Sequence, residues 1–251
     1  MVFMSRPLKF YFIVPCYNEE MRFPGPAFAA YYADRPDISF CFVNDGSTDN
    51  TLAHLNLLAK GREDRIAVIS LPRNAGKAEA VRTGILHALH GAPVDFVGFM
   101  DADLATPLSE IDHLLARCSK LPDSSIVFGS RVKGPGVQIL RSPLRHYLGR
   151  VFALATKFFL GIPASDTQCG AKLIRASIAI DIFRVPFISR WLFDLELFLR
   201  AAALPHSAAG TFIECPLAEW TEKGSSRLGI HDAAGLLRDF IEIFLRYGRI
   251  K

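Results

Sequence analysis

Apolar and polar positions alternate along this chain with two different periods. Short runs rich in Val, Ile and Phe at Lys9 to Val14, Ile38 to Val43, Ile66 to Ser70 and Phe96 to Met100 read as β-strands. Their nearly continuous apolar character is that of strands buried on both faces, as in a parallel sheet. Thr51 to Lys60 and Lys77 to Leu89 carry helical spacing between them. This βαβα succession predicts an α/β fold, a mostly parallel central sheet flanked by helices. The second half is less regular. It predicts strands at Ser125 to Ser130, near Ala171 to Ile174 and at Thr211 to Cys215. Helices are predicted at about Pro143 to Leu160, Trp191 to Ala202 and Asp232 to Tyr247. No repeat or linker-like stretch interrupts it, so a single domain over residues 1–251 is expected.

In open parallel sheets, ligands bind at the carboxyl ends of the strands, and the polar clusters fall there. VPCYNEE (Val14 to Glu20) and VNDGSTDNT (Val43 to Thr51) end the first two strands. RNAGKAEA (Arg73 to Ala80) follows the third, and MDADLATP (Met100 to Pro107) ends the fourth. Asp101 and Asp103, two apart on an extended chain, point the same way and can share a hard cation. Mg²⁺ or Mn²⁺ would suit, since such ions join one or two carboxylates to substrate phosphates. The same residues also fit a plain helix start, with Asp103 or Thr106 capping the helix that Pro107 opens. Asp45 can accept the N–H of a uracil or guanine ring, or can belong to a turn before an N-cap at Ser47 or Asp49. Gly76 and Lys77 open a helix whose positive end suits a diphosphate. Neither a P-loop nor a GxGxxG pattern is present, so ATPase and dinucleotide dehydrogenase readings lose their main support.

Composition changes the picture in three places. A net charge of +4 over 251 residues is too mild to imply a nucleic-acid partner. Twenty phenylalanines and a mean hydropathy of +0.22 point to a greasy partner. Yet the stretches free of Asp, Glu, Lys and Arg, such as Ala201 to Ile213, fall short of the about 20 residues a spanning helix needs. The five cysteines (Cys16, Cys41, Cys118, Cys169, Cys215) are widely spaced with no CxxC, which predicts reduced core residues. His87 and His90 lie outside any metal motif and read as structural.

Together the motifs VPCYNEE, NDGSTDNT, NAGKAEAVRTGI, MDADLATP, VFGSR, DTQCGAKLIRA, RWLFDLELFLRA and EWTEKGSSRL resemble glycosyltransferase family 2, of the GT-A fold. Within it they are most similar to the dolichyl-phosphate (polyprenyl-phosphate) β-glucosyltransferases. The resemblance implies a nucleotide-sugar half at about residues 8–120 and an acceptor half at about 121–251. It implies nucleoside contacts at Pro15, Tyr17, Glu19 and Asp45, and metal and diphosphate ligands at Asp101 and Asp103, with Lys77 beside the diphosphate. Asp166 would lie near sugar and acceptor, and Arg131 would contact the acceptor phosphate, with Lys223 and Arg227 as further partners. Mannosyl relatives carry Gln where Ala105 stands, which favours a glucosyl donor; Glu79 stands where the family often has Gly.

Between Asp123 and Asp166 no acidic residue occurs, while six bases do: Arg131, Lys133, Arg141, Arg145, Arg150 and Lys157. Leu144, Leu148, Val151, Ala155, Phe158 and Ile162 recur there at helical spacing, a cationic amphipathic pattern that suits a membrane interface or core packing. For the last helix ordinary packing is expected first, with membrane contact or a homo-oligomer behind it. The expected activity is inverting, metal-dependent transfer of glucose from UDP-glucose to a polyprenyl phosphate, by a peripheral protein on the cytoplasmic face of a membrane. Two alternatives remain open here: a soluble family 2 enzyme glycosylating a saccharide hydroxyl, with Asp166 as base, and a degenerate nucleotide-sugar-binding module.

Overall fold

Among the described residues nine strands form two sheets: β1 (Phe10–Cys16), β2 (Ile38–Asn44), β3 (Ile66–Ser70), β4 (Phe96–Phe99), β5 (Ile126–Ser130), β6 (Gln138–Leu140), β7 (Lys172–Arg175), β8 (Phe212–Pro216) and β9 (Glu219–Thr221). The helices are α1 (Gly25–Ala33), α2 (Thr51–Ala59), α3 (Lys77–His90), α4 (Leu108–Lys120), α5 (Ala176–Phe183), α6 (Phe193–Ala202) and α7 (Ala233–Tyr247). This computed structural model describes residues 6–91, 93–121, 124–132, 138–140, 152–162, 164–205, 212–223 and 233–250.

The main sheet has the order β3-β2-β1-β4-β7-β5-β8. All neighbours are parallel except β7, which runs antiparallel to both β4 and β5. A parallel β6–β9 pair forms the second sheet. Strand periodicity divides the core. Phe10, Phe12, Val14 and Cys16 of β1 face one layer with residues of α1, α2 and α4, while Ile13 faces the other, with α3, α5 and α6. Phe12, Phe28, Phe40, Phe42, Phe96 and Phe99 are wholly buried, so much of the phenylalanine excess is core. Each such ring contributes about 1.5–3 kcal/mol by leaving water. All five cysteines are buried and none is in a disulfide.

Strand positions agree with the apolar pattern to within about two residues. The pattern missed α1, whose buried face is only Phe28 and Tyr32, and the two-turn α5. Two caps differ from expectation. The residue before α4 is Pro107, with no side-chain cap, and Thr106 Oγ1 is buried without a partner among the described residues. The residue before α2 is Asn50, although Asp49 does accept the Thr51 amide at 3.0 Å. Of the predicted helix at Pro143 to Leu160, the described part is helical from Phe152 and ends in a π-helical turn, Thr156–Leu160; residues 141–151 lie outside the described residues. The last helix carries both buried and exposed apolar residues. Ile243 is buried and Leu236, Phe240 and Tyr247 pack on the core, whereas Leu237, Ile241, Phe244 and Leu245 are exposed.

Candidate functional site

β1 is flanked by β2 on one side and β4 on the other, so the chain reverses its direction of growth between β1 and β4. Open α/β sheets bind ligands at such a switch point, beyond the strands' carboxyl ends. Because β7 is antiparallel, with Lys172 opposite Phe99, its leading DTQCG segment arrives at that same edge. Four polar loops and this fifth segment therefore converge.

The loops after β1 and β2 are laced together. Asn18, in the left-handed region at φ 50°, accepts the Thr48 amide at 2.9 Å, and its own amide donates to Ser47 Oγ at 3.0 Å. The Glu19 amide donates to Thr51 Oγ1 at 2.7 Å, and the buried Glu19 carboxylate takes two hydrogen bonds from Arg22. Pro15 and Tyr17 are half-buried beside them. Asp45 braces the next loop. Its oxygens accept the amides of Ala75 at 2.7 Å and Gly76 at 2.9 Å. Gly76, at φ +97°, precedes α3 with no side-chain cap.

From the first turn of α3, Lys77 Nζ reaches Asp101 Oδ1 at 2.6 Å. Burial alone would lower the Lys77 pKa, but Asp101 and Asp194 more than offset it and hold the ammonium above its ordinary value. For Asp101, burial pushes the pKa up, while Lys77, Arg131 and Lys172 bring it below the usual carboxylate range. Asp103 goes the other way, raised first by burial and then by Asp101. A raised carboxyl beside an ionised one is where a cation relieves repulsion, so this pair fits Mg²⁺ or Mn²⁺. Among the described residues no cluster of three or more His, Cys, Asp or Glu could hold a metal. A two-carboxylate site suits ions that keep water and substrate phosphates as further ligands. Gly170 is required here: a Cβ on it would lie 1.9 Å from Asp101 Oδ2.

Across the site, Arg131 follows β5 and grips Asp166 with two prongs, Nε to Oδ2 at 2.7 Å and Nη2 to Oδ1 at 2.8 Å. The Arg131 amide donates to the same carboxylate at 2.9 Å, and Trp220 lies under the guanidinium at 5.3 Å. Burial opposes ionisation of Asp166, but Arg131 prevails and holds it below the usual range. Ser130 Oγ and Gln168 Nε2, one and two residues from this pair in sequence, are buried without partners among the described residues. Lys223 is exposed on the segment after β9, and Arg227 lies outside the described residues. Glu79 turns away to Arg82 at 2.8 Å.

Sequence reasoning missed two residues of this edge. Lys172 is wholly buried, with Nζ bonded to Asp194 Oδ1 at 2.6 Å and to the Cys169 carbonyl. A lysine at the start of a buried strand, with an aspartate in the first turn of a largely apolar helix, was the available signal.

Residues 11–183 match the family model described as "Glycosyl transferase family 2". The chain is 32% identical over 248 residues to the dolichyl-phosphate beta-glucosyltransferase ALG5C of Trichomonas vaginalis, covering 94% of this chain and 71% of that one. It is 33% identical over 254 residues to the dolichyl-phosphate beta-glucosyltransferase of Mus musculus, covering 94% and 74%. Among solved structures it resembles the glucosyl-3-phosphoglycerate synthase of Mycobacterium tuberculosis in complex with Mn²⁺, UDP-glucose and phosphoglyceric acid. That match has a TM-score of 0.68 and 17% identity, over 96% of this chain and 79% of the other.

Proposed function

Because the chain belongs to glycosyl transferase family 2, we propose that it transfers glucose from UDP-glucose to the phosphate of a polyprenyl lipid, with inversion. The observation that carries this reading is the grip of Arg131 on Asp166. A general base for a sugar hydroxyl works best with a pKa near the operating pH, and Asp166 is held ionised well below that. An acceptor that needs no deprotonation fits better. A phosphate monoester has a second pKa of about 6 and is largely dianionic at neutral pH.

In the step proposed, an acceptor phosphate oxygen forms the bond to the anomeric carbon as the bond from that carbon to the UDP oxygen breaks. UDP leaves with the electron pair, and no proton moves. Attack opposite the leaving group converts an α-linked donor to a β-linked product. Lys77 and the uncapped start of α3 face the leaving diphosphate. Asp101 and Asp103 would hold Mg²⁺ or Mn²⁺, which when bound neutralises diphosphate charge. Arg131 would offer Nη1 to the acceptor, and phosphate oxygens would give Ser130 Oγ and Gln168 Nε2 the partners they lack among the described residues. The relatives, dolichyl-phosphate beta-glucosyltransferases by name, and the UDP-glucose and Mn²⁺ of the structural neighbour support the same donor, acceptor and metal.

Among the described residues no helix is long and apolar enough to cross a membrane. The lipid would be met at the cytoplasmic membrane face through an exposed apolar patch, where Phe159 packs on Phe158, Phe240 and Phe244 with ring centroids 5.1–6.3 Å apart. The test is incubation with radiolabelled UDP-glucose, Mg²⁺ and a short polyprenyl phosphate, followed by extraction into organic solvent. Label in the organic phase that disappears with Asp103→Ala is expected. No transfer from UDP-glucose would overturn the reading.

A further inference from the structure

We propose that the buried pair Lys172–Asp194 is a positioning device for Asp101, fixing the Cys169–Gly170 backbone as the wall against which that carboxylate sits. The inference rests on the reading of Asp101 as a residue of the donor diphosphate and metal site.

A lysine at 0% exposure is unusual. A buried ion pair is weak evidence for stability, since apolar residues of similar volume often do as well. Geometry supplies another reason for it. Lys172 opens β7 directly opposite Phe99, two residues before Asp101. Its ammonium lies 5.3 Å from the Phe99 ring, and Lys77 Nζ lies 5.9 Å from the same ring. From there Nζ takes two anchors, Asp194 Oδ1 on α6 at 2.6 Å and the carbonyl of Cys169 three residues back. The second bond closes the turn that carries Gly170, and Asp101 Oδ2 occupies the space where a Gly170 side chain would begin. Contacts therefore run from α6 through Asp194, Lys172 and the Cys169–Gly170 turn to Asp101. Loosening the tether frees the wall, and Asp101 loses its fixed direction while keeping Lys77 as its ion-pair partner.

The experiment measures UDP binding calorimetrically, with Mn²⁺ and with EDTA, beside uridine binding and thermal melting. Lys172→Met alone leaves Asp194 buried and unpaired and should melt well below wild type. Lys172→Met combined with Asp194→Leu should recover most of the melting temperature. It should still bind UDP about tenfold or more weakly in Mn²⁺, with uridine affinity unchanged. Asp194→Asn, which keeps the acceptor oxygen, is the milder variant and decides the matter if the double variant does not fold. It should weaken the Mn²⁺-dependent binding measurably, by less than the double variant does. Wild-type affinity for UDP with Mn²⁺ in the folded variants assigns the pair to packing alone and overturns the proposal. If the wild-type chain itself shows no UDP binding with Mn²⁺, the functional reading fails first and this inference falls with it.

Discussion

Arg131 and Asp166, 35 residues apart, meet in a two-pronged ion pair at the carboxyl edge of the sheet, with side chains only 12% and 13% exposed. The pair joins β5 to the segment leading into β7. It also sets what Asp166 can do, because a carboxylate held this way is an anchor and a poor base.

Asp166→Asn should therefore cost stability, since it leaves a buried guanidinium without its counter-charge. A loss of about 3 kcal/mol is expected in chemical denaturation at pH 7. The pH dependence carries a sign. Asp166 has a folded-state pKa below its ordinary value, so its contribution is present above about pH 4 and is lost as pH falls through the lowered pKa. Between pH 7 and pH 2 the wild type should lose more stability than the variant. Parallel stability–pH curves would contradict this.

Asp103→Asn should separate stability from activity. The Asp103 carboxyl is raised by burial and by Asp101, so its ionised form is a cost to the folded state at neutral pH. The amide removes that cost, and the variant should melt no lower than wild type at pH 7. Glucosyl transfer should nevertheless fall by about 100-fold or more.

Gly170→Ala tests the seat of Asp101 directly. The new methyl would stand 1.9 Å from Asp101 Oδ2, so the carboxylate or the turn must move. Misplacement of this kind should lower kcat/KM for UDP-glucose by about 100-fold. Circular dichroism should show the secondary structure retained.

The exposed aromatic patch predicts lipid binding. Phe158 is 71% exposed and Leu245 77% exposed, on neighbouring elements. Replacing both by Ser should reduce co-sedimentation with anionic vesicles about tenfold. Transfer to a short water-soluble acceptor should be unchanged.

How much of this was legible in the residues depended on range. Strands buried on both faces write themselves as apolar runs, so β1 to β5 could be located, and the polar clusters at their ends marked the site. Asp101, Lys77 and Asp45 do stand together at that edge. Short helices such as α5 carry too few turns for their period to show. The antiparallel direction of β7 depends on pairing with β4 and β5, which local pattern does not encode. That direction delivers Asp166, Gly170 and Lys172 to the site. The partnerships of Arg131 with Asp166 and of Lys172 with Asp194 span 35 and 22 residues, beyond any local signal.

The central claim is that the acceptor nucleophile is a phosphate dianion. It is tested most directly by one acceptor series at constant tail: a prenyl phosphate, the corresponding prenol and a free sugar, each with UDP-glucose and Mn²⁺ across pH 5 to 9. The account predicts transfer to the phosphate alone, with kcat/KM rising through a single ionisation at about 6, as expected for the acceptor itself. Transfer to the prenol or the sugar at a comparable rate would contradict it.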